Sequence, residues 1–213
     1  FLLFFVLSSS NLSAKSFNDI LDLVLKLDKE KIQKLLNNGY KIDIFDEKGR
    51  SLVLRVTMEN NIESLKLLID LGANIDIYNK KLSKNVIDQT AFLYAGAKGM
   101  NDFLEILIQN NAKTNIYNYY GGTALIPACE KAYVSTVKLL LEKTNTDINH
   151  INTLGWTALL ETIILSNGGI NHQKIVKLLL LHGANKNIKD KNGLTALDHA
   201  KRSSFKAIIK LLQ

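Results

Sequence analysis

Residues Leu181–Lys201 read LHGANKNIKDKNGLTALDHAK. A Gly-Ala-Asn turn comes first, then a short polar run, then Asp-Lys-Asn-Gly, and then Thr-Ala-Leu opening a helix. The Thr195 hydroxyl is suited to cap that helix by accepting one of its free backbone N–H groups. The same order of roles returns along the chain. Ser51, Thr90, Thr123, Thr157 and Thr195 each open a helix, at separations of 39, 33, 34 and 38 residues. A recurring step near 33 residues marks an array of stacked units rather than one globular core.

The signature repeats in detail. Thr90-Ala91-Phe92, Thr123-Ala124-Leu125, Thr157-Ala158-Leu159 and Thr195-Ala196-Leu197 share the helix opening. Leu65–Leu68, Leu104–Leu107, Val137–Leu140 and Val176–Leu179 share an apolar four-residue step on a second helix. Gly72-Ala73-Asn74 and Gly183-Ala184-Asn185 share the turn after it. This unit resembles the ankyrin repeat, over residues 18–213. The resemblance implies an all-α solenoid of about six helix-turn-helix units joined by β-hairpin-like fingers. The unit bounds are about 18–45, 46–84, 85–117, 118–151, 152–189 and 190–213, within a repeat domain at 15–213. Each unit exposes an apolar face that only its neighbours can cover.

The first unit is degenerate, as a terminal unit that meets water should be. Its Thr is replaced by Asn18, itself a good cap. Gly39, Gly72 and Asn111 stand where a second helix must end in a left-handed residue. Pro127 lies three residues beyond the first helical position, where the missing N–H should cost one helical hydrogen bond. Two stretches exceed the unit's usual length. One is the finger around Lys80–Lys84; the other is Ser166–Asn171, which should project from the side away from the fingers.

The ends carry their own expectations. Phe1–Leu7 is purely apolar (FLLFFVL) and is followed by small polar residues to Ala14. Residues 1–14 read as the remnant of a signal peptide, which would place the repeats outside the cytoplasm, periplasmic or secreted. A shortened membrane anchor or an apolar tail over the first unit are the other readings. At the far end, Ile208, Ile209, Leu211 and Leu212 are more apolar than a closing helix should be, so the stack is expected to continue. Abundant Lys, Asn and Ile accords with an AT-rich, bacterial genome.

Catalytic constellations are not apparent. His150, His172, His182 and His199 are scattered, and none pairs at useful spacing with a carboxylate or with Cys129, the single cysteine. Cys129 falls where the resemblance puts a small buried Ala, and reads as an inert core thiol. Nothing has metal-ligand spacing, and no cofactor is implied. The net charge of +7 is spread along the chain rather than gathered on one face, so nucleic acid is not the expected partner.

What the resemblance leaves free is a concave face of fingertips and first helices, which in such repeats contacts a partner. By register it holds Phe45, Arg50, Tyr78, Tyr117, Tyr119, Tyr120, Lys131, Ile151, Trp156, Lys189, Lys191 and Arg202. Lys98, Gly122, Glu130, Leu154 and Leu165 fall on the same face. Tyr, Trp and Arg are the commonest interface anchors. An aromatic groove centred on Tyr119, Tyr120 and Trp156 is therefore expected to grip a protein or extended peptide, with the chain acting as a monomer. The competing reading is that these rings shield one another and the finger stems. Two other functions stand beside it: the recognition arm of a longer enzyme or toxin, and attachment to an anionic surface through Lys80, Lys81, Lys84, Lys189, Lys191 and Arg202.

Overall fold

A computed structural model describes residues 16–79 and 90–213. Residues 1–15, with the signal-peptide reading, and the long finger with Lys80, Lys81 and Lys84, lie outside them. The described residues form twelve helices in pairs: α1 (Phe17–Leu25) and α2 (Lys29–Asn37), α3 (Leu52–Met58) and α4 (Ile62–Asp70), α5 (Ala91–Lys98) and α6 (Asn101–Gln109). Then come α7 (Leu125–Glu130) and α8 (Val134–Lys143), α9 (Ala158–Ile164) and α10 (Ile170–Leu181), α11 (Ala196–Arg202) and α12 (Lys206–Leu212). First helices pack in a file, α1 on α3, α3 on α5, α5 on α7, α7 on α9 and α9 on α11. Second helices form another file, α4 on α6, α6 on α8, α8 on α10 and α10 on α12.

The register seen in the sequence builds these files. The residue after each Thr cap is a small one that lets neighbouring first helices approach: Ala91, Ala124, Ala158 and Ala196 are all buried. Leu68, Leu107, Leu140 and Leu179 are fully buried on the second helices. Each such leucine stabilises the stack by about 2 kcal/mol. In the last unit, Ile208 and Leu212 are buried and Ile209 and Leu211 are partly so. Cys129 is fully buried, and burial pushes its thiol up to about 12. Asn111 does take a left-handed φ of 62°, like the glycines that end α2 and α4.

The caps hold with two exceptions. Ser51, Thr90, Thr157 and Thr195 accept from the N–H three residues on, at 3.1–3.3 Å. In α1 the cap is Ser16 rather than Asn18, which lies inside the helix. Ser16 Oγ accepts from Asp19 N while Ser16 N donates to Asp19 Oδ2, a reciprocal box that Asn18 could not complete.

The second exception is Thr123, whose buried Oγ1 has no hydrogen-bond partner. The cause is Pro127. In the other five units the residue four beyond the cap donates its N–H to the cap's carbonyl, as Ile20, Arg55, Tyr94, Glu161 and His199 do. Proline has no N–H, so Ile126 N turns to the Thr123 carbonyl instead, at 3.3 Å. That tightens the turn and withdraws the donor that Oγ1 would have used. Replacing Pro127 with Ala should restore both bonds. The gain of about 2 kcal/mol exceeds the roughly 0.5–1 kcal/mol lost as the unfolded chain becomes freer. A denaturant midpoint higher than wild type, at unchanged m-value, is the expected result.

The fingers contain no strand among the described residues, only an isolated bridge between Phe45 and Ser51. They are hairpin-like in their turns. In each described finger, an Asp or Asn five residues before the cap pairs by backbone with the residue four further on: Asp46 with Arg50, Asn118 with Gly122, Asn152 with Trp156, Asp190 with Leu194. The Ser166–Asn171 stretch departs from expectation. Gly169 caps α10, so Ile170 and Asn171 extend that helix by part of a turn. The remaining loop does not project freely, because Gly168 lies against the Phe205 ring.

Candidate functional site

The acidic or amide residue that shapes each finger has two jobs. Its Oδ1 accepts from two N–H groups of its own loop. Asp46 takes Lys48 and Arg50, Asn118 takes Tyr120 and Gly122, Asn152 takes Leu154 and Trp156, and Asp190 takes Asn192 and Leu194. The other side-chain atom reaches the first helix nine residues on. Asp46 Oδ2 meets Arg55 at 3.3 Å, Asn152 Nδ2 donates to Glu161 Oε2 at 2.9 Å, and Asp190 Oδ2 meets His199 Nε2 at 2.8 Å. In the fourth unit that place is taken by Pro127, which offers no polar group.

The row Arg55, Pro127, Glu161 and His199 therefore runs along the first helices, each facing its own finger. Three carboxyls in these finger–helix pairs are displaced from the ordinary range. Burial raises the Asp46 carboxyl, but bonds from Arg50 outweigh it and hold it below the usual carboxylate range. Asp190 is held low by the Leu194 N–H and by His199. Glu161 goes the other way: burial, then the nearby Glu130 charge, push its carboxyl up to about 7.

Between these elements lies a pocket of about 350 Å³. Its walls come from three first helices and two fingers: Lys98, Pro127, Glu130, Lys131, Glu161 and Leu165 from the helices, Tyr120 and Leu154 from the fingertips among them. Tyr120 is 46% exposed, and its ring meets Tyr119 edge-on at 5.3 Å. Lys131 is paired with Glu130 at 2.6 Å.

The other sequence-derived candidates are distributed along the face. Phe45 and Arg50 line a separate hollow of about 420 Å³ by the first unit, where Arg50 pairs with Asp46 at 2.7 Å. Tyr78 and Tyr117 share a smaller one of about 210 Å³, and Tyr117 stacks on His150 at 4.3 Å. Ile151, Lys189 and Arg202 are exposed. Lys191 lies along Gly155 and donates to the Thr153 carbonyl, which commits its ammonium to a finger-to-finger bond. Trp156 does not join Tyr119 and Tyr120: it is half-buried and packed on the core, and is no part of the pocket wall.

A model of ankyrin repeats (three copies) matches residues 54–152 and 144–213. The chain belongs to the ankyrin-repeat family. It is 36% identical to the ankyrin repeat protein YahD of Escherichia coli (strain K12) over 188 residues, covering 87% of this chain and 89% of that one. Among solved structures, an ankyrin repeat domain from Acinetobacter baumannii AYE superposes with a TM-score of 0.79 at 41% identity, over 91% of this chain and 95% of that one. The ankyrin repeat protein EF0377 gives 0.80 at 37% identity, over 93% and 98%. Ankyrin repeats generally mediate protein–protein interaction, and the fold is typically non-catalytic. Among the described residues no three of His, Cys, Asp and Glu gather so as to hold a metal ion.

Proposed function

We propose that this ankyrin stack is a non-catalytic recognition module, acting as a monomer, that grips a protein or extended peptide in the groove between its fingertips and first helices. The observation that carries this reading is the pocket walled jointly by α5, α7, α9 and two fingers, with Tyr120 on its wall and the exposed Tyr119 ring against Tyr120. An open hollow that spans successive units follows the direction an extended chain would take. Exposed tyrosines offer it apolar area at low conformational cost.

The test is selection of binders from a random decapeptide library on the wild-type chain, followed by affinity measurement on the Tyr119→Ala/Tyr120→Ala double variant. Both rings are exposed, so the helical circular dichroism should be unchanged. Selected peptides should lose about tenfold or more in affinity, the scale of an interface anchor. Equal affinity with an intact fold would refute the groove. An extracytoplasmic location belongs to the same proposal and rests on Phe1–Ala14 alone. Export of a reporter fused behind that segment is the expected result.

A further inference from the structure

We propose that the pocket beside Glu161 is a receptor for one Lys or Arg side chain of the partner peptide, with the Glu161 carboxylate as its counter-charge. The inference deepens the recognition reading and rests on it.

The argument begins with the row facing the fingers. In the second and last units the finger supplies an acid and the helix supplies its cationic or basic partner: Asp46 with Arg55, Asp190 with His199. In the fifth unit the roles are exchanged and the complement is left incomplete. The acid is on the helix, and the finger residue is Asn152, a neutral amide that satisfies only Oε2. Among the described residues no cation lies within ion-pair distance of Glu161. Lys131, on the pocket wall, is turned to Glu130 at 2.6 Å, which commits its ammonium to that neighbour. Lys98, also on the pocket wall, leans over the Tyr94 ring at 5.7 Å.

Glu161 is nonetheless 7% exposed, and what remains exposed opens into the pocket it lines. A carboxylate so far from water is stabilised when a positive charge arrives to pair with it. Pro127, standing where the fourth unit would otherwise carry a longer side chain, leaves the volume next to Glu161 unfilled. Tyr120, Leu154, Leu165 and Ile126 wall the rest, which suits the aliphatic stem of a Lys or Arg whose head reaches the carboxylate. A small apolar side chain would fill the hollow but leave Glu161 uncompensated. An acidic one would meet Glu130 and Glu161 together.

The experiment uses the decapeptides selected at pH 8 as the probe. They should share a Lys or Arg at one position. Changing that residue to norleucine should weaken binding to wild type by about tenfold or more, and should have little effect on the Glu161→Gln chain. Glu142→Gln, which removes a carboxylate from a second helix, is the control for general electrostatics and should leave affinity within about twofold. Absence of a basic consensus, or a norleucine effect of the same size on Glu161→Gln as on wild type, overturns the inference. If peptides bind and depend on Tyr119 and Tyr120 but ignore Glu161, this inference falls while the recognition reading stands. If none binds the groove, both fall.

Discussion

Replacing Glu161 with Gln should stabilise the folded chain at pH 8 and flatten its stability between pH 5 and 8. The carboxyl is raised from 4.5 to about 7, first by burial and then by the Glu130 charge. Between those two values the folded chain keeps a proton that the unfolded chain has released. Stability therefore falls as pH rises through this window, and levels off above the folded value. The full shift corresponds to about 3 kcal/mol, and water at the pocket mouth should reduce that to about 1–2 kcal/mol. Gln can still accept from Asn152 Nδ2, so the substitution removes the charge without orphaning the amide. The carboxylates held low, Asp46, Asp190 and Asp198, act with opposite sign and in a lower window, since their contribution is lost as pH falls through their folded values. Wild type should consequently be most stable near pH 5, and the variant should show a broad plateau from there to pH 8. Urea melts at pH 5, 6.5 and 8 measure this; a wild-type midpoint as high at pH 8 as at pH 5 would contradict it.

The same residue shows where sequence reading stops. The fold was legible because caps, small residues and leucine pairs each recur in phase, and any one unit could be checked against the others. The first cap was legible too, at Ser16 rather than Asn18: Ser16 stands 35 residues before Ser51, close to the period, and is followed at Asp19 by the acid of a capping box. The missing helical bond at Pro127 was legible from proline's chemistry. Its second consequence, the stranded Thr123 hydroxyl, needed the structure, because it depends on which acceptor Ile126 N selects.

The site was less legible than the fold. A finger folds back on its helix, so contacts nine residues apart become side by side. The pairs Asp46–Arg55, Asn152–Glu161 and Asp190–His199 have no helical or strand period to announce them. The signal was present as an Asp or Asn five residues before every cap, with Asn85 completing the series outside the described residues. Trp156 illustrates the finger's own parity. Residues four and three before the cap are exposed in all four described fingers, as Tyr119 and Tyr120 are, while the residue directly before it is buried or half-buried. Arg50, Gly122 and Leu194 occupy that inward place alongside Trp156. Ring size alone could not separate the two classes.

Placing a large side chain at Gly96 should change stability more than replacing Pro127 or Glu161. Gly96 lies on the side of α5 that packs on the next unit, and an added Cβ would stand 2.7 Å from Ala124 Cβ and 3.1 Å from the Ala124 carbonyl oxygen. One of those atoms is backbone, and the contact belongs to the α5–α7 packing, so relief requires the two units to part. Gly96→Ala gains about 1 kcal/mol of helix propensity but overpacks the joint, and should come out about 1 kcal/mol less stable. Gly96→Leu has no room at all and should lose about 3 kcal/mol or more. In a stack whose layers touch only their neighbours, weakening one joint also uncouples what lies on either side. The Gly96→Leu melt should therefore be broader than wild type, with a lower apparent m-value, as the first three units and the last three unfold apart. Adding Ala124→Gly removes the nearer of the two obstructing atoms and should recover part of the Gly96→Ala loss, although Ala124→Gly alone is destabilising. Strict additivity of those two changes would show that the joint is not where the strain sits.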